Sequence, residues 1–127
     1  MLSNIMDKKL NVLIINLKSS LERRKRITEQ LDNLNIPYTF LEATEGSSLT
    51  NSWIENNVGD RLKGIYFNNE HHLITKNSLA CADSHRRAQK IASEFKNGYT
   101  LILEDDVELA RDFKQKVHNV VDLMHSN

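Results

Sequence analysis

Apolar residues fall along this chain in blocks whose spacing alternates between continuous and helical. Asn11-Val-Leu-Ile-Ile-Asn-Leu17 is a short, nearly unbroken apolar run rich in branched side chains, the pattern of a parallel strand covered on both faces. It predicts a central strand. Ser19 and Glu22 have the spacing at which a hydroxyl and a carboxylate reciprocally satisfy the free amides of a helix start. Ile27, Leu31 and Leu34 then recur at helical spacing among Arg24, Lys25, Glu29, Gln30 and Asp32, and Pro37 stops the helix by disfavouring helical backbone in the residue before it. Tyr38-Thr-Phe-Leu-Glu42 predicts a second strand, which completes a right-handed strand–helix–strand unit.

Between Ala43 and Asn77 the periodicity fades. Gly46, Gly59, Gly64 and several Asn and Ser predict loops with one short helix near Ser52–Asn57. A longer helix is expected to start at Asn77 or Ser78 and run to Lys96 before Gly98, with Cys81, His85, Ala88, Ile91, Ala92 and Phe95 as its inward stripe. Tyr99-Thr-Leu-Ile-Leu103 reads as another buried strand, and Phe113, Val117, Val120, Val121 and Met124 mark one face of a last helix. The expected fold is α/β, a three-layer α/β/α sandwich with a mostly parallel sheet.

Length and charge narrow the partners. The 127 residues fit a single domain, with no repeat or linker composition to divide them. Lys plus Arg equals Asp plus Glu at 17 each, so no global positive field exists to attract nucleic acid. The basic run Arg23 to Arg26 points in several directions once placed on a helix, which predicts a solvated face. Cys81 is the one cysteine, which excludes an intramolecular disulfide and favours a reducing, cytoplasmic setting. Met1 to Leu10, with Asp7, Lys8 and Lys9, has no apolar stretch of signal-peptide length, and no run approaches the ~20 residues of a bilayer span.

The chemistry concentrates in Glu104, Asp105 and Asp106, which follow the third predicted strand. Ligands of open α/β sheets bind beyond the carboxyl ends of the strands. Along an extended segment Glu104 and Asp106 share one side and Asp105 takes the other. Three adjacent carboxylates repel one another, and a divalent cation offsets that repulsion; Mg²⁺ or Mn²⁺ bound by one or two carboxylates leads naturally to a diphosphate ligand. The triplet alone is equally compatible with an exposed acidic cap on the last helix. Response-regulator receiver domains also carry acids after an apolar strand, but on their first strand, whereas here the first strand ends in Asn16 and Leu17. Glu70, His71 and His72 lack a complete ligand set and are left out of the site.

Four separated segments agree with one family. Val12-Leu-Ile-Ile-Asn-Leu17 with Arg23 and Arg24, Ala43-Thr-Glu-Gly46, Cys81-Ala-Asp-Ser-His85 and Leu101-Ile-Leu-Glu-Asp-Asp-Val107, in this order, resemble the amino-terminal portion of glycosyltransferase family 25, of lipooligosaccharide and lipopolysaccharide biosynthesis. The resemblance implies a GT-A-like nucleotide-binding half that uses a nucleotide sugar, often UDP-galactose, to extend a glycolipid or oligosaccharide acceptor; eukaryotic relatives galactosylate hydroxylysine. It implies Mn²⁺ or Mg²⁺ at Glu104 and Asp106, and donor binding by Asn16, Arg23, Gly46, Ser84, His85 and Asp105. A plain loop-capping amide for Asn16, a turn glycine for Gly46 and a satisfied core histidine for His85 stand beside those roles. The implied setting is the inner face of the cytoplasmic membrane, with peripheral association. The chain departs from the family at Ser78 and Ala80, where an acid and a glycine are usual, and at Asp83, usually apolar. The resemblance covers nearly all of this chain but about half of a typical enzyme, so the alternative expectation is a non-catalytic binding or oligomerisation module, such as a homodimer.

Overall fold

The computed structural model describes residues 10–68 and 73–126. The amino-terminal Asp7, Lys8 and Lys9, and the Glu70-His71-His72 group, lie outside the described residues. The elements are β1 (Leu10–Asn16), α1 (Leu21–Asn33), β2 (Thr39–Glu42), a 3₁₀ turn (Gly46–Ser48), α2 (Asn51–Asn57), α3 (Asp60–Phe67), α4 (Lys76–Glu94), β3 (Tyr99–Glu104) and α5 (Phe113–Ser126).

β1 is central, as its unbroken apolar run predicts. It pairs in parallel with β2 from Leu13↔Thr39 to Asn16↔Glu42, and with β3 from Leu10↔Tyr99 to Ile15↔Glu104, giving the order β2-β1-β3. Alternation along the strand sends Val12 and Ile14 to one face, where Ile27 and Leu31 of α1 and Val121 of α5 cover them. Leu13 and Ile15 go to the other face, against Ala88 of α4. The sheet therefore carries helices on both faces, the α/β layering expected. A satellite core of Leu49, Ile54, Tyr66, Leu79 and Ala80 packs α2 and α3 against the start of α4.

Several local expectations are corrected. The Ser19–Glu22 cap does not form: Ser20 occupies the cap position of α1 without a side-chain bond, and its carbonyl accepts from both the Arg24 amide and the Asn16 side chain. α1 ends through Asn35, whose φ of 55° is a left-handed conformation that Asn tolerates better than most residues. α4 is capped by Thr75, whose hydroxyl accepts the Ser78 amide while the Ser78 hydroxyl accepts the Thr75 amide. Its buried stripe is Leu79, Ala80, Ser84 and Ala88, so the face is rotated from the predicted one, and Cys81 and Ile91 are exposed. The predicted loop region also holds α3, a short helix that starts after Gly59 and contains Gly64. β3 is a half-buried edge strand among the described residues, not a strand enclosed in the sheet interior. On α5, Val121 and His118 are buried, whereas Val120 and Met124 are exposed.

Candidate functional site

The strand order creates the site. From β1 the chain moves to β2 on one side, then crosses through α4 to β3 on the other, so the direction of winding reverses between β1 and β3. Such a reversal splays the connections apart and leaves a crevice beyond the carboxyl ends of the two strands. A cleft of about 240 Å³ lies at that point, lined by Ile15 of β1 and Leu17 just after it, Arg23 from α1, and Ala43, Thr44 and Gly46 after β2. Asn77, Ala80, Cys81 and Ser84 of α4 and the acids Glu104, Asp105 and Asp106 complete it.

The three acids divide as expected, though through a turn instead of an extended segment. β3 ends at Glu104, and the chain turns through Asp105 and Asp106. Glu104 and Asp106 are exposed, while Asp105 is 8% exposed and folded back towards β1. The Asn16 amide donates to Asp105 Oδ2 at 2.8 Å and to the Ser20 carbonyl at 3.2 Å. Asn16 thus ties β1, the start of α1 and the acidic turn together from behind the cleft. Residues 107–112 separate the triplet from α5, which excludes the acidic helix-cap reading. Gln30 of α1 clamps the intervening segment, donating to the Val107 carbonyl and accepting from the Leu109 amide.

Arg23 reaches Asp105 Oδ1 at 3.5 Å, with its own side chain 59% exposed. A bond that long and that wet is weak, so most of the five guanidinium donors stay available to a ligand. The rest of the basic run disperses as predicted, with Arg24 stacked over Phe40 and Arg26 beside Glu108.

Gly46 is a close-approach residue. Its Cβ would fall on Asn77 Oδ1 and within 3.0 Å of the Asn77 backbone nitrogen, so the glycine lets the 3₁₀ turn seat against the first turn of α4. The glycine does sit in a turn, but with no positive φ there it is the close approach to Asn77 that calls for it. Ser84 is buried; its hydroxyl accepts the Thr44 amide at 2.9 Å and donates to the Ala80 carbonyl at 3.0 Å. Both bonds hold the Ala43–Gly46 segment to α4. His85 is not a core histidine. It is partly exposed, does not line the cleft itself, and sets Nε2 at 3.3 Å from Glu104 Oε1.

Sequence reasoning missed the polar hub beside this wall. Asp83 accepts from the Thr44 hydroxyl at 2.6 Å and from Arg86 and Arg87, while Arg87 also donates to the Glu42 carbonyl and to Thr44 Oγ1. Partial burial pushes the Asp83 carboxyl up, but the Thr44 bond and the two guanidinium groups outweigh it and hold the group below its ordinary value. The signal was Asp83 itself, a charge where the family pattern is apolar, with Arg at the next helical turn. Cys81 was also missed as a site residue. Burial and the neighbouring Glu104 carboxylate raise its thiol pKa.

The profile described as glycosyltransferase family 25, LPS biosynthesis protein, matches residues 9–126. The chain belongs to glycosyltransferase family 25. It is 32% identical over 114 residues to a putative glycosyltransferase, R655, of Acanthamoeba polyphaga mimivirus, covering 88% of this chain and 33% of the relative. It is 28% identical over 111 residues to procollagen galactosyltransferase 2 of Homo sapiens, covering 87% of this chain and 18% of the relative. The chain therefore spans a third or less of the length of these curated relatives. The family 25 segments, scattered in sequence, converge here: Asn16 and Arg23, Ala43 to Gly46, Cys81 to His85 and Glu104 to Asp106 all meet at one end of the sheet. Among the described residues no helix is long and apolar enough to cross a membrane.

Proposed function

We propose that this chain forms the donor-binding part of a glycosyltransferase that moves a hexose, galactose by preference, from a uridine diphosphate sugar to a lipooligosaccharide or lipopolysaccharide acceptor. The reading places that reaction at the inner face of the cytoplasmic membrane. The observation that carries it is the acidic turn at the β1/β3 crevice of a family 25 chain. Glu104 and Asp106 fit a hard divalent ion such as Mn²⁺ or Mg²⁺: both are exposed oxygen donors at the cleft, and no described residue pairs with Asp106. When bound, such an ion neutralises charge on the departing diphosphate. Arg23 offers a fork of donors to a phosphate on the same side, and Asp105, held by Asn16, fixes the turn that presents both carboxylates. The Ser84–Thr44 bond fixes the opposite wall. Calorimetric titration with UDP-galactose and Mn²⁺ tests the reading: saturable, Mn²⁺-dependent binding lost in Asp106→Asn supports it. Absence of binding to both this chain and a longer natural version would count decisively against it.

A second reading, a homodimeric module without catalysis, draws on one observation. The open edge of β3 borders an apolar groove lined by Tyr99, Leu101, Phe113, Val117, Val120 and Met124. Sedimentation analysis discriminates: a dimer dissociated by Val120→Glu favours it, and a monomer at all concentrations eliminates it.

A further inference from the structure

From the geometry around Glu104 we infer that Cys81, His85 and Glu104 form a three-ligand site for a borderline-soft divalent cation, of which Zn²⁺ is the type, on the wall of the cleft. Cys81 and His85 stand one helical turn apart on α4, so their side chains project from the same face, and Glu104 meets them from the exit of β3. Cys81 Sγ lies 3.7 Å and His85 Nε2 3.3 Å from the same Glu104 oxygen, and all three donor atoms lie within 4.8 Å of one another. Tetrahedral zinc, with bonds of about 2.3 Å to sulfur and about 2.1 Å to nitrogen or oxygen, sets its sulfur and oxygen about 3.6 Å apart and its nitrogen and oxygen about 3.4 Å apart. Two edges of the coordination polyhedron are therefore already at length. The third, between sulfur and nitrogen, is at most 4.8 Å against about 3.6 Å in the tetrahedron.

Ligand chemistry selects the ion. A thiolate and an imidazole favour zinc-type cations over Mg²⁺ or Mn²⁺, whereas Glu104 and Asp106 offer oxygen only. Without metal, the thiol and the imidazole can hold the triangle through protons shared with the carboxylate; a bound cation displaces the thiol proton to solvent and takes the thiolate as ligand. Three protein ligands leave a fourth position open, the arrangement of an open zinc site. Because Glu104 belongs to both constellations, zinc occupancy withdraws one carboxylate from the hard-ion pair. That consequence rests on the glycosyl-transfer reading; zinc binding itself does not.

The test uses the full chain stripped of metal, titrated with Zn²⁺ against a chromophoric chelator and with Co²⁺ under absorption spectroscopy, in the absence of nucleotide. The expected result is one Zn²⁺ per chain and a thiolate-to-cobalt charge-transfer band. Cys81→Ser should abolish the band, and Cys81→Ser and His85→Gln should each weaken zinc at least about tenfold, the scale on which even supporting residues of metal sites act. Both side chains are at least partly exposed, and circular dichroism melts verify that the variants fold. Zinc held with unchanged affinity by Cys81→Ser would place the ion on other histidines and overturn the inference, as would a chain that takes up no zinc. Either result leaves Mn²⁺-dependent nucleotide binding to be measured separately, so the two readings fail independently.

Discussion

Replacing Asp105 by alanine tests whether the middle acid holds the site together or serves as an exposed ligand. Asp105 and Asn16 are both buried, and the 2.8 Å bond between them has a charged acceptor. Deleting the carboxylate leaves an amide donor in a space with little access to water, a loss of about 1.5–3 kcal/mol for a buried bond to a charged group. The Ser20 carbonyl still receives one donation from Asn16, which argues for the lower half of that range. The Arg23 pair adds little, at 3.5 Å and with the arginine mostly in water. A destabilisation near 2 kcal/mol in a domain of this size lowers Tm by roughly 6–10 °C. Thermal and urea unfolding followed by circular dichroism measure it. Asp106→Ala, at an exposed neighbour, is the control and should stay within about 0.5 kcal/mol of the parent. A double-mutant cycle with Asn16→Ala should return a coupling of at least about 1 kcal/mol. If Asp105→Ala were no less stable than Asp106→Ala, the bracket argument would fail, and the burial of Asp105 would require another explanation.

Gly46→Ala should destabilise by about 1–3 kcal/mol, since the new methyl meets Asn77 side chain and backbone; Asn77→Ala in the same chain should recover only part, because the contact with the Asn77 backbone remains. Thr100→Val, an isosteric change at a buried hydroxyl with no hydrogen-bond partner among the described residues, should be neutral or raise stability by up to about 1 kcal/mol in urea titration. Asp83 has a folded-state pKa below its ordinary 3.8, so its stabilisation is complete above that value and disappears as pH falls through the lower folded value. Asp83→Asn should therefore be less stable than the parent at neutral pH, with the gap narrowing as melts are taken below about pH 4.

What was legible in the sequence was set by elements whose signal is complete within a few residues. β1 carries its own evidence, because a strand covered on both faces must be apolar at nearly every position, and Val12 to Asn16 are all buried. The acids after β3 were legible for the same reason, standing directly after an apolar run. The misread face of α4 shows the limit. Cys81, His85 and Ile91 satisfy helical spacing as well as Leu79, Ala80 and Ser84 do, Ala88 fits both stripes and is buried as expected, and only the neighbouring elements decide the rest. Ser84 lies inward with its hydroxyl accepting the Thr44 amide, whereas Cys81 and His85 turn towards Glu104. At the Asp83 hub the helical spacing to Arg86 and Arg87 was a local signal, but the partnership with Thr44, about forty positions away, has no local pattern to announce it.

The edge position of β3 changes the accounting of stability more than it changes the site. An interior strand would have both backbone edges paired, and β3 pairs only with β1 among the described residues. Yet the crevice needs only the reversal of winding between β1 and β3, and every bond that shapes it points inward. Asp105 turns to Asn16 at the end of β1, and Glu104 turns to Cys81 and His85 on α4. None of these partners lies on the outer side of β3. The groove along that side is mainly apolar, with Leu101, Phe113, Val117, Val120 and Met124, and its one charged lining residue, Lys116, is a cation that offers a metal ion no ligand. Substitutions along the groove should therefore alter association and stability while leaving the geometry of Glu104, Asp105 and Asp106 intact.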